Sequence, residues 1–253
     1  MFELSGQVAL VTGAGSERGI GFAAARALAR QGARVAITAT TERIYDRARE
    51  LGAGAWAATA DLTDPAGAAD LIETMQIDFG HVDILVNNAG MVQSGTAPGG
   101  GRFVDMGPDE WAREIDLNLN TAVNVTRAAL PGMIERGSGR VIFVSSVTGP
   151  LVAIPGESGY AAAKAALDGL MRTLAFETGG HGITVNSVAP GWIETASSPE
   201  AEIAAGRHTP VGRPGTPDEV AAAIAFLAAR ESSYVTGHSL VVDGGNTIQD
   251  AKG

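Results

Sequence analysis

The stretch Val8-Ala9-Leu10-Val11-Thr12-Gly13-Ala14-Gly15-Ser16-Glu17-Arg18-Gly19-Ile20-Gly21 decides how the rest of the chain is read. Its first four residues are all apolar, which is the pattern of a short strand buried on both faces. The glycines that follow mark a tight turn. From Ile20, apolar residues recur at Ala23, Ala24, Ala27 and Leu28, the spacing of one helical face. Gly32 closes that helix as a C-cap would, bounding it at Ile20 to Arg30. A glycine-rich turn between a strand and a helix lets backbone approach a pyrophosphate, and the helix N-terminus presents unpaired N–H groups to its charge. Gly13, Gly15, Ser16, Arg18, Gly19, Ile20 and Gly21 are therefore candidate contacts to a dinucleotide.

Outward from this unit the same alternation continues. Val35 to Thr38 reads as a second strand, Ala55 to Thr59 as a weaker third, and Ile84-Leu85-Val86 as a fourth. Val141 to Val144, Thr184 to Val188 and Leu240-Val241-Val242 complete seven. Helical spacing falls near 66–78, 109–134, 160–178 and 217–229. The last opens on Thr216-Pro217-Asp218-Glu219, a capping box with Pro at the first helical position. Near-continuous apolar strands alternating with helices predict a parallel sheet with right-handed crossovers, doubly wound, with helices on both faces. One domain over residues 1–253 is expected. Two loops differ in texture: 95–102, with Gly99-Gly100-Gly101, and about 194–215. Both follow strand carboxyl ends, where ligands sit in such sheets.

Composition narrows the function classes. The 253 residues carry 18 Lys plus Arg against 28 Asp plus Glu, a net charge of −10. That balance argues against nucleic acid and anionic membrane as main partners, since both need basic surface. There is no Cys, so disulfides, zinc–thiolate sites and cysteine nucleophiles are excluded. His81, His181, His208 and His238 lack metal-ligand spacing, and no Gly-x-Ser-x-Gly elbow occurs, so no metal and no hydrolase nucleophile is expected. Neither a signal peptide nor a membrane span is read from the sequence, and a soluble, cytoplasmic protein is expected. The glycine content, 34 residues or roughly 13 %, is nearly twice the ordinary ~7 %.

The end of the second strand is where an acid reads the ribose of NAD. Here the strand runs into Ala39-Thr40-Thr41, and the nearest acid, Glu42, comes later and is followed by Arg43. A 2′-phosphate would meet no carboxylate at that tip. Arg18 and Arg43 are candidate donors to it. NADP(H) is favoured over NAD(H).

Taken in order, the Thr12–Gly21 loop, Asp61-Leu62, Asn87-Asn88-Ala89-Gly90, Asn118, Ser146, Tyr160-x-x-x-Lys164, Pro190-Gly191 with Thr195, and Val242-Asp243-Gly244-Gly245 resemble the short-chain dehydrogenase/reductase family. The nearest branch is that of the 3-oxoacyl-[acyl-carrier-protein] reductases. The resemblance implies a Rossmann-type fold and a hydride-transfer enzyme, with Asn118, Ser146, Tyr160 and Lys164 as its catalytic residues. Tyr160 and Lys164, four apart, share a helix face, and the ammonium is expected to lower the phenol's pKa from its reference near ~10. Ser146 would steady a developing alkoxide. By resemblance, Asn118 holds a water for proton relay from Lys164, and Lys164 also bonds the nicotinamide ribose. Asp61, with Leu62, meets the adenine. Asn88, Ala89, Gly90, Pro190 and Gly191 line the cofactor, and Ile193 and Thr195 meet the carboxamide.

Met91, Gln93, Val152, Trp192 and the 194–213 segment are expected to line the substrate pocket beside Ser146 and Tyr160. Three departures from the family pattern stand out. The glycine loop is two residues longer, Ser146 to Tyr160 is one residue longer and is expected to carry a small bulge, and the Gly90–Trp111 loop carries the inserted glycine run. The implied activity is NADPH-dependent reduction of a ketone or 3-oxoacyl thioester. The same residues run the reverse oxidation of a secondary alcohol or hydroxysteroid. A binding module without turnover is the reading from another class. The family also implies a homotetramer built through the two long helices and the C-terminal strand.

Overall fold

The computed structural model describes residues 2–90 and 101–250. Seven parallel strands form one sheet: β1 (Val8–Thr12), β2 (Arg34–Ala39), β3 (Trp56–Thr59), β4 (Ile84–Asn87), β5 (Gly139–Val144), β6 (Ile183–Pro190) and β7 (Ser239–Val242). Their order is β3-β2-β1-β4-β5-β6-β7. The chain winds outward from β1 to β3, then returns to place β4 on the other side of β1. That reversal opens a crevice above the carboxyl ends of β1 and β4, the place where an open parallel sheet takes ligands.

Among the described residues, eight α-helices cover the faces: α1 (Ile20–Arg30), α2 (Arg43–Leu51), α3 (Pro65–Phe79), α4 (Pro108–Ile115), α5 (Thr121–Arg136), α6 (Ser158–Thr178), α7 (Glu200–Gly206) and α8 (Pro217–Ala228). The period of two along each strand sorts its residues between the layers. Ala9 and Val11 of β1, with Ile142 and Val144 of β5, pack beneath α1 and α8. Val8 and Leu10, with Val141 and Phe143, pack on the opposite face beneath α3, α5 and α6. A sheet buried on both sides has no solvent face, which is why Val8–Val11, Ile84–Val86 and Val141–Val144 read as apolar runs, while β6 buries the polar Thr184, Asn186 and Ser187 between its apolar residues.

The strands and the helices Ile20–Arg30, 66–78, 160–178 and 217–229 lie where the periodicity puts them, within one or two residues. The capping box of α8 forms: Glu219 N–H donates to the Thr216 hydroxyl and Thr216 N–H to the Glu219 carboxylate. Two elements differ from expectation. The helix read over 109–134 is two α-helices joined by a π-helical turn, Asp116–Asn120. The pattern of apolar residues runs through that turn unchanged, so periodicity cannot show it. Helix α2, which no expectation covered, buries Ile44 fully and packs Ala48 and Leu51, four and seven residues on, against the same core. The 194–215 segment contains α7 and is pinned at its ends by the Ile193–Gly215 bridge.

Candidate active site

The glycine loop is built for close approach. Gly13 has φ +68°, and a Cβ there would sit 2.8 Å from the Ala89 Cα. A Cβ on Gly21 would sit 2.5 Å from Asn88 Nδ2 and 2.7 Å from the Gly13 carbonyl oxygen. Asn88 Nδ2 donates to the carbonyls of Thr12 and Gly13 at 3.1 and 3.0 Å, while Asn88 N–H and Ala89 N–H donate to the Thr12 hydroxyl at 3.0 and 2.9 Å. The Asn87–Gly90 motif thus clamps the end of β4 onto the turn after β1. Its amide side chain serves the loop's shape. A Cβ on Gly15 would sit 3.0 Å from the Ala39 Cβ at the tip of β2. Beyond Ser16, Gly19 N–H donates to the Ser16 carbonyl and starts the helix. Helix α1 has no side-chain cap and no acid in its first turn, so the N–H groups opened by Ile20 and Gly21 suit a pyrophosphate. These residues fit the dinucleotide that the motif implies.

The flanks of the loop are charged. Arg18 pairs with Glu194 at 3.1 Å, Arg47 with Glu17 at 3.7 Å, and Arg43 Nε donates to the Thr41 hydroxyl at 3.4 Å, beside Thr40. At the other end Asp61 accepts from the N–H and hydroxyl of Thr63, and Asp64, not Asp61, caps α3. Asp61 borders a cavity of about 380 Å³ walled also by Thr63, Arg113 and Leu117. Leu62 is buried beneath it.

The reacting groups converge at the ends of β5 and β4. A turn after β5 folds back through the Thr148–Val152 bridge, and Gly149, at φ +105°, lets it lie against the first turn of α6. That contact brings Ser146 toward Tyr160, where its hydroxyl favours the phenolate, while Ser146 Oγ accepts from the Thr148 N–H at 3.0 Å. Ser145 points elsewhere, donating to the Lys164 carbonyl at 3.2 Å. Lys164 is 3 % exposed; its Nζ donates to the Val144 carbonyl at 2.9 Å and lies 5.6 Å from the centre of the Tyr160 ring. Asn118, in the π turn, donates to the Glu114 carbonyl and carboxylate at 3.1 and 3.2 Å. A Cβ on Gly90 would lie 3.2 Å from Asn118 Oδ1 and 3.5 Å from Lys164 Nζ, so Gly90 marks the point where these two polar groups meet.

The expected lowering of the phenol's pKa is not what this geometry produces. Burial pushes Tyr160 up to about 12; the Ser146 hydrogen bond opposes this, while Glu157, Glu202 and Glu114 add to it. Burial also brings Lys164 down to about 8 despite the favourable pull of Asp168. Glu157 is itself held above the usual carboxylate range, first by burial and then by Glu114 and Glu202. The phenol is therefore held as a proton donor in an acidic surround. Sequence reasoning found the tyrosine and missed the three glutamates, which come from α4, the turn before α6, and α7.

After β6, Gly191 packs on the Asp243 Cβ at a distance of 2.7 Å from where its own Cβ would be, and its N–H donates to the Val242 carbonyl. Asp243 in turn accepts from Gly245 and Thr247 N–H. The Val242–Gly245 motif thus braces the Pro190-Gly191 corner. The Ser198 hydroxyl donates to the Ile193 carbonyl at 2.9 Å and accepts from Thr195 N–H at 3.0 Å, linking the two residues expected at the carboxamide. Val152 and Trp192 are half-buried. Met91, Gln93 and most of the 95–102 loop lie outside the described residues. Among the described residues there is no metal-binding cluster and no helix long and apolar enough to cross a membrane.

A glycine cradle at the β1–β4 switch point, with a Ser–Tyr–Lys set at the end of β5, defines a nucleotide-dependent oxidoreductase of the doubly wound type. A family model described as enoyl-(acyl carrier protein) reductase matches residues 13–247. The chain belongs to the short-chain dehydrogenase/reductase family. It is 41 % identical to the oxidoreductase UcpA of Escherichia coli strain K12, over 99 % of this chain and 98 % of that one. It is also 41 % identical to the 3-oxoacyl-[acyl-carrier-protein] reductase FabG of Salmonella typhimurium, over 95 % and 97 %. Among solved structures, a short chain dehydrogenase/reductase family protein superposes with a TM-score of 0.87 at 38 % identity, covering 98 % of this chain and all of that one.

Proposed function

We propose that the protein reduces the carbonyl of a ketone or 3-oxoacyl thioester to a secondary alcohol, using NADPH and Tyr160 as general acid. The observation that carries this reading is the Tyr160 phenol, held protonated by burial with Ser146 beside it and Lys164 Nζ 5.6 Å from its ring centre, at the end of a crevice that opens on a capless helix N-terminus. A nicotinamide held there supplies a hydride to the carbonyl carbon. Tyr160 releases its proton to the carbonyl oxygen as that oxygen gains charge, and the Ser146 hydroxyl donates a second hydrogen bond to it. Lys164, brought down to about 8 by burial, returns a proton toward the phenolate, and Asn118 stands at Gly90 to order a water on that path. Gly13, Gly15, Gly19 and Gly21 hold the pyrophosphate, Asp61 the adenine, and Arg18 and Arg43 the 2′-phosphate beside Ala39 and Thr40. NADPH is favoured because β2 ends without a carboxylate.

The glutamates around Tyr160 support an uncharged carbonyl, since a substrate carboxylate would meet like charge. Exposed Phe176 on α6, Ile134 on α5 and Val241 on the edge strand β7 support the homotetramer. Reduction of a ketone panel that includes a 3-oxoacyl thioester, followed by NADPH absorbance, tests the reading. Oxidation of secondary alcohols with NADP+ is the reverse assay. Turnover with no carbonyl in either direction would favour the non-catalytic module.

A further inference from the structure

One ion pair ties the glycine loop to the segment after β6: Arg18 Nη2 and Glu194 Oε1, 3.1 Å apart. In the strand order, β1 and β6 are separated by β4 and β5. Three interstrand steps span roughly 14 Å at the usual ~4.8 Å spacing, so the pair reaches across the ligand crevice instead of joining neighbours. The tip of β2, with Ala39 and Thr40, lies on the opposite side of β1. Glu194 thus draws the guanidinium toward β6, away from the position where a 2′-phosphate would stand. The other arginine salt-bridged on that flank, Arg47, is held by Glu17 and Glu50 and offers no substitute.

We propose that Glu194 is a specificity-determining residue: it competes with the 2′-phosphate for Arg18 and thereby limits the preference for a 2′-phosphorylated dinucleotide. This rests on the reading of Arg18 as a donor to that phosphate. A dinucleotide without the phosphate leaves the pair closed. One that carries it must open the pair, and does so because a phosphomonoester brings close to two charges and several strong acceptors. Both side chains are open to water, 63 % and 44 % exposed. A pair of that kind shifts an equilibrium by roughly 1.5- to 5-fold. Glu194 therefore tunes a preference that Arg18 supports beside Arg43.

The test is direct binding, measured as dissociation constants for NADPH and NADH by fluorescence titration at low salt. Four proteins are compared: wild type, Glu194→Gln, Arg18→Gln and the double variant. Glu194→Gln is expected to tighten NADPH about two- to fivefold and to leave NADH unchanged. Arg18→Gln weakens NADPH at least tenfold, and adding Glu194→Gln to it changes nothing further. The proposal is overturned if Glu194→Gln leaves the NADPH/NADH ratio as it was, tightens both cofactors equally, or keeps its effect without Arg18. If Arg18→Gln itself leaves the ratio unchanged, the assignment of Arg18 fails, a result distinct from failure of Glu194 alone.

Discussion

Replacing Lys164 by methionine is expected to remove a pH-dependent instability from the cofactor-free protein in the same variant that loses activity. Lys164 is almost wholly buried and its Nζ has the Val144 carbonyl as acceptor. Burial lowers its pKa from 10.5 to about 8. The folded value lies below the unfolded one, so between pH 8 and 10.5 the unfolded chain binds more protons, and stability rises with pH across that window. Conversely, the contribution is lost as pH falls through 8. The gap between the two values corresponds to about 3 kcal/mol in full, of which about 2–3 kcal/mol develops between pH 7 and pH 10. Methionine has similar length and no charge. It leaves the Val144 carbonyl without this donor, at about 1–3 kcal/mol, but that cost does not vary with pH. Urea unfolding of the two apo proteins at pH 7 and pH 10 isolates the difference. Wild type should gain about 2–3 kcal/mol more than the variant, or roughly 5–10 °C in a thermal scan. Parallel pH dependence in the two proteins would refute the reasoning, because Tyr160 and every other group is common to both.

Tyr160→Phe is expected to lower kcat by about 10²–10⁴-fold while the NADPH dissociation constant stays within about threefold, since only the proton donor is removed. The two serines should separate. Ser146→Ala loses about 10²-fold or more in kcat, whereas Ser145→Ala, which loses only its bond to the Lys164 carbonyl, costs about 1 kcal/mol of stability with kcat largely kept. Gly21→Ala drives a Cβ against Asn88 Nδ2 and the Gly13 carbonyl. It should lower stability by about 1–3 kcal/mol and weaken both cofactors equally, as read by calorimetry and titration.

Much of the architecture was legible because a doubly buried sheet leaves a blunt signature. Val8–Val11 and Val141–Val144 have no polar residue to blur their limits, Thr184–Val188 carries Thr184, Asn186 and Ser187 between its valines, and Gly32 and the Thr216–Glu219 box mark helix ends by local chemistry. Helix α2 was not read although Ile44, Ala48 and Leu51 recur at i, i+4 and i+7, because three apolar residues in a nine-residue, charge-rich segment make a short signal. The π turn at Asp116–Asn120 was hidden for another reason: one extra residue per turn alters hydrogen bonding without altering composition. In the site, the Tyr160–Lys164 spacing announced itself because four residues make one helical turn. Glu114, Glu157 and Glu202 did not, since nothing local marks residues 114, 157 and 202 as neighbours.

The amino-acid order alone determined the cradle. The glycines after β1, the absence of an acid at Ala39-Thr40, and the Ser146, Tyr160 and Lys164 types are covalent facts whose chemistry needs little more than a strand–turn–helix setting. What the tertiary structure decided is the state of those groups. The phenol is pushed up to about 12 and the ammonium brought down to about 8 because packing removes water from both; around the phenol it also collects carboxylates from three separate elements, whereas Asp168 opposes the shift of the ammonium. The partner of Arg18 is likewise a tertiary outcome, since Glu194 is 176 positions away and reaches it only because the sheet order sets β6 three strands from β1. Residue types follow from sequence, but pKa and charge pairing depend on distance and desolvation, which exist only once the chain has folded.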